Sequence, residues 1–320
     1  HAAAAGVTLT DGVFDSHIEL EFEEDGDLDT RSQFWFTDLD VSEPANGPIA
    51  RFLRLPAPLN VVIAALRKDG VTILEGHKAV SASSTDHGIS VETETNGETK
   101  TVTGSHLLVA LGRTPILEGL ALEAGDVEFT RSGVTVGDNL RSSSNPHVWA
   151  VGDIAGMGQF THLAGWHASV FVRRALFKQR TKASSLPLPT VTYTSPEVAQ
   201  VGLTETDARS QYGNDISTSS FAFDENDRAI AEGKTTGDCK LVLRKGKLIG
   251  ASIVGESAGD IIQLVTYAMS NGQKLSSLTN FISPYPTRTE VVKRAASAYY
   301  TPKLFSKMTR TLVGLLQRIP

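Results

Sequence analysis

The chain has 320 residues, 40% of them hydrophobic and 21% charged, which is enough for about two globular domains and a sizeable core. Its net charge of −6 argues against a nucleic-acid-binding protein, which needs a clustered basic face. No apolar run reaches the ~18 residues of a transmembrane helix, and no signal peptide is visible. The single cysteine, Cys239, has no partner for an internal disulfide. Together these features favour a cytoplasmic protein.

Residues 1–48 form an atypical acidic amino-terminal segment. Acidic residues concentrate between Asp15 and Asp40, and apolar and charged residues alternate from His17 to Phe22. This alternation is equally consistent with two structures: a strand with one solvent-exposed face, or a fully solvated acidic segment. Because the chain begins at His1 rather than Met, we expect a processed, trimmed or fragmentary chain.

A helix and an antiparallel ribbon are predicted next. Leu59–Lys68 has apolar residues at helical spacing, and Gly70 stands where a helix often ends. We predict strands at residues 71–74, 78–84, 88–95 and 100–104, with a turn at Asn96-Gly97. The apolar run His106–Leu111 is bounded by glycines and predicts a buried parallel strand.

The middle of the chain predicts loops around a few short elements. Residues 113–147 are rich in turn formers, with a short strand pair between Val127 and Val136, and His147–Val151 predicts a second buried strand. Residues 161–179 have helical periodicity. The predicted apolar stripe of this helix comprises Ala164, Ala168, Val172 and Leu176.

A second domain is predicted after residues 183–189, where serine and proline cluster. Thr204 at a helix start and Asp207 three residues later have the pattern of a capping box. We predict strands at residues 190–193, 218–223, 239–244 and 248–254 and helices at 259–270 and 290–299.

The tail, residues 302–320, has the pattern of a basic amphipathic helix. Such a helix lies on a membrane surface or packs on its own domain or on a dimer mate. We favour packing on protein. Cys239 lies in a predicted strand, which favours a buried structural thiol. The histidines lack metal-ligand spacing, since His162 and His167 are five residues apart, so we expect no metal site.

The strongest chemical signal is Gly152-Asp153 at the end of a predicted strand, with Phe160–Ala164 opening a helix eight residues later. Ligands bind at strand ends in open α/β sheets. A carboxylate there accepts hydrogen bonds from ribose or ribityl hydroxyls, and a helix amino terminus offers free N–H groups to a ligand edge that gains negative charge. In isolation, Asp153 is equally consistent with the cap of a turn.

Five motifs, in order and spacing, resemble those of the flavoprotein disulfide reductase family, which includes dihydrolipoamide dehydrogenase, glutathione reductase and mercuric reductase. The motifs are Ala110-Leu-Gly-Arg-Thr-Pro115, Ala150-Val-Gly-Asp153, Thr161-His-Leu-Ala164, the segment Val191–Glu205 and Ser283-Pro-Tyr-Pro-Thr-Arg-Thr-Glu290. The Ser-Pro-Tyr-Pro sequence is most similar to the mercuric-reductase-like branch.

The resemblance implies roles for individual residues. Asp153, after Gly152, would bind the flavin ribityl chain. Thr161 and the N–H groups of His162, Leu163 and Ala164 would face the flavin ring. Gly112 would lie close to the nicotinamide nucleotide, and Arg113 would begin the exit from the nucleotide domain.

The carboxy-terminal motif departs from the family pattern. Tyr285 stands where the family usually has histidine, paired with a glutamate that is Glu290 here. A histidine in that pair relays a proton near neutral pH, whereas a tyrosine with a pKa near 10 is a poor base. We therefore expect Tyr285 and Glu290 to be weak candidates for catalysis, and packing of Tyr285 at an interface is the alternative.

Two family signatures are not found in these 320 residues: the first flavin-binding Gly-x-Gly-x-x-Gly and the Cys-x4-Cys pair. Asn46–Ala50 is similar to an eroded nicotinamide fingerprint, and a plain turn explains it equally well. We expect FAD binding to be weak or lost, NAD(P)H binding to be doubtful and disulfide reductase activity to be undetectable in this chain alone.

The predicted fold class is α/β, with a partial Rossmann-like FAD/NAD(P)-binding domain and an α+β dimerisation domain. By resemblance, the chain is an FAD- and NAD(P)H-dependent oxidoreductase that homodimerises through residues 190–300. The alternative is a non-catalytic dimerising remnant or a gene fragment. The predicted segments are an acidic segment at 1–48, an NAD(P)-domain remnant at 49–112, the end of the FAD domain at 113–182, the dimerisation domain at 183–302 and an amphipathic helix at 303–320.

Overall fold

The computed structural model describes residues 7–8, 56–86 and 88–317. The predictions for the acidic segment Asp15–Asp40 and for Asn46–Ala50 lie outside these residues. The chain divides into two compact units, the first comprising residues 1–47 and 66–112 and the second residues 48–65 and 113–320. In the described parts, no helix has both the length and the apolar character needed to cross a membrane.

The sheet of the first unit is an antiparallel meander in the order β1-β2-β3-β4. Its strands are β1 (Val7–Thr8), β2 (Lys78–Thr85), β3 (Gly88–Thr95) and β4 (Glu98–Gly104). The predicted ribbon and its turn at Asn96-Gly97 are confirmed, since both turn residues have positive φ.

Helix α1 (Pro56–Lys68) confirms the predicted helix and begins three residues earlier. It ends as predicted at Gly70, whose N–H donates to the Arg67 carbonyl while the Val71 N–H donates to the Leu66 carbonyl. This pair of bonds is a Schellman motif. It explains why the predicted strand at residues 71–74 is wrong, because the Val71 amide already caps the helix.

The predicted buried parallel strand His106–Leu111 is also wrong. These residues have no regular secondary structure, and Leu108 is 62% exposed. A parallel strand is buried only when neighbouring strands satisfy its backbone groups. Every ladder among the described residues is antiparallel, so this apolar run has no such neighbour.

The second unit begins with a loop-rich region around the hairpin of β5 (Phe129–Thr130) and β6 (Gly133–Val134), as predicted. The predicted strand His147–Val151 is reduced to one isolated bridge between Arg141 and Trp149. A turn closed by Val148 N–H to the Asn145 carbonyl shortens it.

Helix α2 (Thr161–Ala175) is four residues shorter than predicted, and its buried face differs. Leu163, His167 and Val170 are buried, whereas Ala168, Val172 and Leu176 of the predicted stripe are exposed. Counting small alanines as apolar moved the predicted stripe away from the larger side chains that fill the core.

The remaining elements form a five-stranded antiparallel sheet in the order β7-β8-β11-β10-β9, with helices packed on it. Its strands are β7 (Pro189–Thr192), β8 (Glu197–Gly202), β9 (Ile216–Ala222), β10 (Asp238–Arg244) and β11 (Lys247–Gly255). The helices are α3 (Glu205–Tyr212), α4 (Asp227–Ala231), α5 (Ala258–Ser270), α6 (Glu290–Leu304) and α7 (Lys307–Leu316). Strand β8 was not predicted, whereas the capping box is confirmed by the Asp207 N–H, which donates to Thr204 Oγ1 at 3.1 Å.

Alternating residues of the sheet build the main core of this unit. Leu241 on β10 lies opposite Ala251 on β11, which in turn lies opposite Val201 on β8, and all three are fully buried. Helices α5 and α6 close this face with apolar residues at helical spacing. Cys239 points into the same core and burial raises its thiol pKa, so the prediction of a buried thiol is confirmed.

Candidate functional site

The predicted motif Gly152-Asp153 forms a tight 3-10 turn, Gly152–Ala155. Gly152 has a φ of +77°, a left-handed conformation in which an L side chain is strained. The turn ends at Gly156, whose N–H donates to the Asp153 carbonyl at 3.2 Å. The conformation of Gly152 therefore sets the direction in which the chain presents the partly exposed Asp153.

A buried histidine supports this turn from behind. The Gly152 N–H donates to Nδ1 of His167 on α2 at 3.2 Å, and His167 is fully buried. This bond assigns the proton of the neutral ring to Nε2, which has no hydrogen-bond partner. Burial lowers the pKa of the imidazole below 6.5, because the charged form loses its hydration.

The β5–β6 hairpin supports the turn from another side. Gly133 lies so close to the turn that a Cβ there would collide with the Ile154 carbonyl and come within 2.9 Å of the Gly156 nitrogen. Backbone thus packs directly on backbone at this point. The turn is held by α2 and by the hairpin together.

The amino terminus of α2 lies beside the turn. A Cβ built on Gly152 would be 3.4 Å from the Ala164 Cβ. The N-cap residue, Phe160, provides no side-chain hydrogen bond to the first turn of the helix. Thr161 and His162 are exposed there, so the first-turn N–H groups face solvent without a side-chain cap. The structure therefore brings Gly152, Asp153 and residues 161–164 together, as predicted.

Arg113 is joined to the loop that enters α2. Its guanidinium donates to the Gln159 carbonyl, and Gln159 Nε2 donates to the Arg113 carbonyl at 3.0 Å. His162 Nε2 donates to the Pro189 carbonyl at 2.9 Å, which ties α2 to β7. Gly112, with a φ of +105°, belongs to the first unit.

Tyr285 lies in a second cluster, in the loop that precedes α6, and its peptide bond to Pro286 is cis. Its side chain is 69% exposed. The Asp227 carboxylate on α4 accepts a hydrogen bond from its hydroxyl and raises the phenol pKa, and the Glu290 carboxylate adds to this effect while Arg294 opposes it. The predicted pair of Tyr285 and Glu290 thus includes a third member, Asp227.

The loop that carries Tyr285 is fixed by buried polar contacts. Asn226 accepts a hydrogen bond from the Ala229 N–H at 3.0 Å and donates one to the Thr287 carbonyl at 3.1 Å. Arg288 pairs with Glu232 and donates to Ser257 Oγ at 3.4 Å. Within residues 113–317, no hydrogen bond or ion pair links Asp153 directly to Tyr285.

Sequence reasoning missed His167 and Asp227. The only signal for His167 was its position four residues after Leu163 and three before Val170, which together form the buried face of α2. Asp227 left no signal, because its contact with Tyr285 joins α4 to a loop that is far away in the sequence. Among the described residues, no group of three or more His, Cys, Asp or Glu is arranged to hold a metal ion.

Two family models match the chain. Residues 56–170 match the pyridine nucleotide-disulphide oxidoreductase model, and residues 188–296 match the dimerisation domain of the same proteins. The chain belongs to this family. Members of the pyridine nucleotide-disulphide oxidoreductase family use FAD and NAD(P)H. The predicted resemblance and the mixed helix-and-sheet fold class are confirmed.

Individual relatives agree with this assignment. A mercuric reductase from Staphylococcus aureus is 34% identical over 73% of this chain and 43% of its own length. A dihydrolipoyl dehydrogenase from Geobacillus stearothermophilus is 33% identical over 72% of this chain and 49% of its own length. The chain therefore spans about half the length of the curated relatives it matches.

The fold is also similar to that of a solved flavoprotein disulfide reductase. The HOCl-induced flavoprotein disulfide reductase RclA from Escherichia coli superposes with a TM-score of 0.68, covering 76% of this chain and 56% of its own. The sequences are 24% identical, so this likeness supports the fold alone.

The buried His167 predicts that stability depends on pH. Because its pKa is lowered in the folded state, the unfolded chain binds a proton more readily. The stabilisation by the neutral ring is therefore complete above the unfolded pKa of 6.5 and is lost as the pH falls toward the folded pKa. We expect this loss to reach at most about 1.4 kcal/mol per pH unit. Urea titrations at several pH values between about 7.5 and 5 measure it.

The matched variants are His167→Asn and His147→Asn. Asparagine keeps an acceptor near the Gly152 N–H but does not titrate, so His167→Asn should reduce the slope below about pH 6.5. His147 is exposed, and its replacement should leave the slope unchanged. Equal slopes for His167→Asn and the unchanged chain would refute this role for His167.

Proposed function

We propose that this chain contributes the ribityl and ring side of a flavin site, together with the dimerisation domain, to an FAD- and NAD(P)H-dependent oxidoreductase. One observation carries the proposal. The Gly152–Ala155 turn is held from behind by His167 and lies against the uncapped amino terminus of α2. Hydroxyl groups and an electron-rich ring edge are the ligands that such a carboxylate and such N–H groups favour.

The residues have distinct roles in this proposal. Asp153 accepts hydrogen bonds from ribityl hydroxyls, and Gly152 sets its direction. Thr161 and the N–H groups of His162 and Leu163 face the ring edge, with Ala164 packed against Gly152. Bound FAD supplies the transfer of electrons from NAD(P)H to an acceptor.

The nicotinamide side is supported by fewer residues. Gly112, with its positive φ, lies near the nicotinamide nucleotide in this proposal, and Arg113 leads the chain toward the flavin turn through its contacts with Gln159. The predicted division at residues 112–113 is a proposal that the junction of the two compact units supports. The other predicted domain limits stay proposals.

We do not propose that this chain carries out the thiol–disulfide exchange that needs a pair of cysteines. Its one cysteine, Cys239, is fully buried in the core between the sheet and the helices, where burial raises its pKa and suppresses the reactive thiolate. Tyr285, hydrogen-bonded to Asp227, is a hydrogen-bond donor at neutral pH rather than a base.

The second candidate function is a dimerising module without catalysis. Two observations favour it. The β7–β11 domain has an extensive core of its own, and the one cysteine of the sequence is buried. Binding of FAD separates the two functions, because the module has no need of a flavin.

Flavin binding by the chain as given should be weaker than micromolar. The pyrophosphate cradle Gly-x-Gly-x-x-Gly is not found in its sequence, and each hydrogen bond to a charged group contributes about 1.5–3 kcal/mol. Asp153→Ala should weaken the residual affinity for FAD about tenfold further, because it removes the charged acceptor of hydrogen bonds from the ribityl hydroxyls. Titration followed by flavin fluorescence measures both values.

The matched control is Glu128→Ala, which removes an exposed carboxylate elsewhere in the same unit. It should leave the affinity unchanged. Sub-micromolar binding would reveal a phosphate site that the motifs do not mark. Equal affinities for Asp153→Ala and Glu128→Ala would exclude Asp153 from the site.

Disulfide reduction by this chain should be undetectable, because a thiol–disulfide relay needs two thiols beside the flavin. The assay supplies NADH or NADPH with added FAD and offers lipoamide, oxidised glutathione, mercuric ion or a quinone dye. Turnover of the dye alone would support a flavin reductase. Turnover of a disulfide that survives Cys239→Ser would contradict the account.

The β7–β11 domain should form a homodimer through residues 190–300. Its match to a dimerisation domain supports this, and so do exposed large side chains such as Tyr193, Tyr267 and Ile282. Obligate dimer interfaces are large and apolar. Sedimentation equilibrium at micromolar concentration should give a dimer, and a monomer throughout that range would count against the proposal.

A further inference from the structure

The last helix, α7, lacks any buried contact with the part of the chain that the structure describes. Every residue from 310 to 317 is exposed, and no residue of α7 is buried. The prediction that the tail packs on its own domain or on a dimer mate stays a prediction, since no described residue of α7 is buried. An isolated helix of ten residues is marginal in water, since helices shorter than about 12–15 residues rarely form alone. The helix therefore favours a covering surface that the described residues do not supply.

One side of α7 is apolar along its whole length. We define its apolar stripe as Met308, Leu312, Leu315 and Leu316. These residues follow the spacing of a single helix face. Met308 is 81% exposed, and the other three are each more than half exposed.

The charge around the stripe has one sign. Residues 291–320 contain six Lys and Arg and no Asp or Glu, whereas the chain as a whole has a net charge of −6. On α7 itself, Lys307 and Arg310 fall on the side away from the stripe and are exposed. A basic polar face opposite an apolar stripe fits a surface that is anionic outside and apolar beneath.

The dimensions of α7 favour a lipid surface over a protein. A ten-residue helix is about 15 Å long and about 10 Å wide, so one face covers on the order of 150 Å². A specific protein interface buries about 800 Å² on each partner. An interfacial helix needs no shape-matched partner, because its apolar side enters the boundary between headgroups and acyl chains.

We propose that α7 docks this protein on an anionic lipid bilayer, with the apolar stripe inserted below the headgroups and Lys307 and Arg310 at the phosphate level. The contact is peripheral and reversible. Ser306 helps to begin the helix at the surface, because its Oγ accepts a hydrogen bond from the Thr309 N–H at 3.3 Å. Binding weakens with salt, since the basic residues act within a Debye length of the headgroups.

The test is sedimentation of the full chain with vesicles, with Leu312→Glu and Thr311→Glu as matched variants. Both variants add one negative charge to α7, at the centre of the apolar stripe for Leu312→Glu and at its border, about 100° further round the helix, for Thr311→Glu. The probes are vesicles of phosphatidylglycerol and phosphatidylcholine in roughly equal parts, and vesicles of phosphatidylcholine alone. Far-ultraviolet circular dichroism of the free proteins confirms that both variants keep the fold.

The unchanged chain should bind the anionic vesicles and release them at high salt. Leu312→Glu should lower the partition coefficient by about tenfold or more, because it places a charge where a leucine is buried. Thr311→Glu should lower it far less. Equal binding by Leu312→Glu and Thr311→Glu, or no binding by the unchanged chain, would overturn the proposal. Conversion of a dimer to a monomer by Leu312→Glu, in sedimentation equilibrium without lipid, would assign the stripe to a second copy and overturn it as well.

Discussion

The hydrogen bond from the Gly152 amide to the buried His167 ring connects the core of α2 to the candidate flavin site. Glycine adopts the positive φ of residue 152 without strain, and the turn is held by one side chain from α2 and by close backbone packing from Gly133. Nδ1 accepts this bond while the ring is neutral, a form that burial favours by lowering the pKa of His167. The position of Asp153 thus depends on a residue fourteen positions further along the chain that touches no ligand in the proposed site.

The same principle applies to the Tyr285 loop, where buried polar contacts hold an exposed residue. Asn226 caps α4 and also binds the Thr287 carbonyl, so the helix start and the loop are fixed together. Arg288 anchors the other end through Glu232. Both sites therefore stand on cores of the second unit. A cluster that includes Ala155 and Val170 lies behind the Gly152 turn, and the core between the β7–β11 sheet, α5 and α6 lies behind the Tyr285 loop.

Local patterns in the sequence predicted most of the elements. Gly70 and the Thr204–Asp207 box succeeded because capping is decided by residues within one turn. His106–Leu111 failed because a parallel strand depends on neighbours that periodicity does not reveal. The motif order located the start of α2 correctly, and the role of Asp153 stays a prediction. It gave no indication of His167 or Asp227, whose contacts form only when distant segments fold together.

The central claim is that the Gly152–Ala155 turn and the first turn of α2 form the ribityl and ring side of a flavin site. Amide hydrogen exchange with and without FAD tests it most directly, because it reports where the ligand slows opening of the backbone. The account predicts that FAD slows exchange at residues 152–164 and leaves the β2–β4 meander unchanged. Protection confined to other segments, or no protection at the highest soluble FAD concentration, would contradict it.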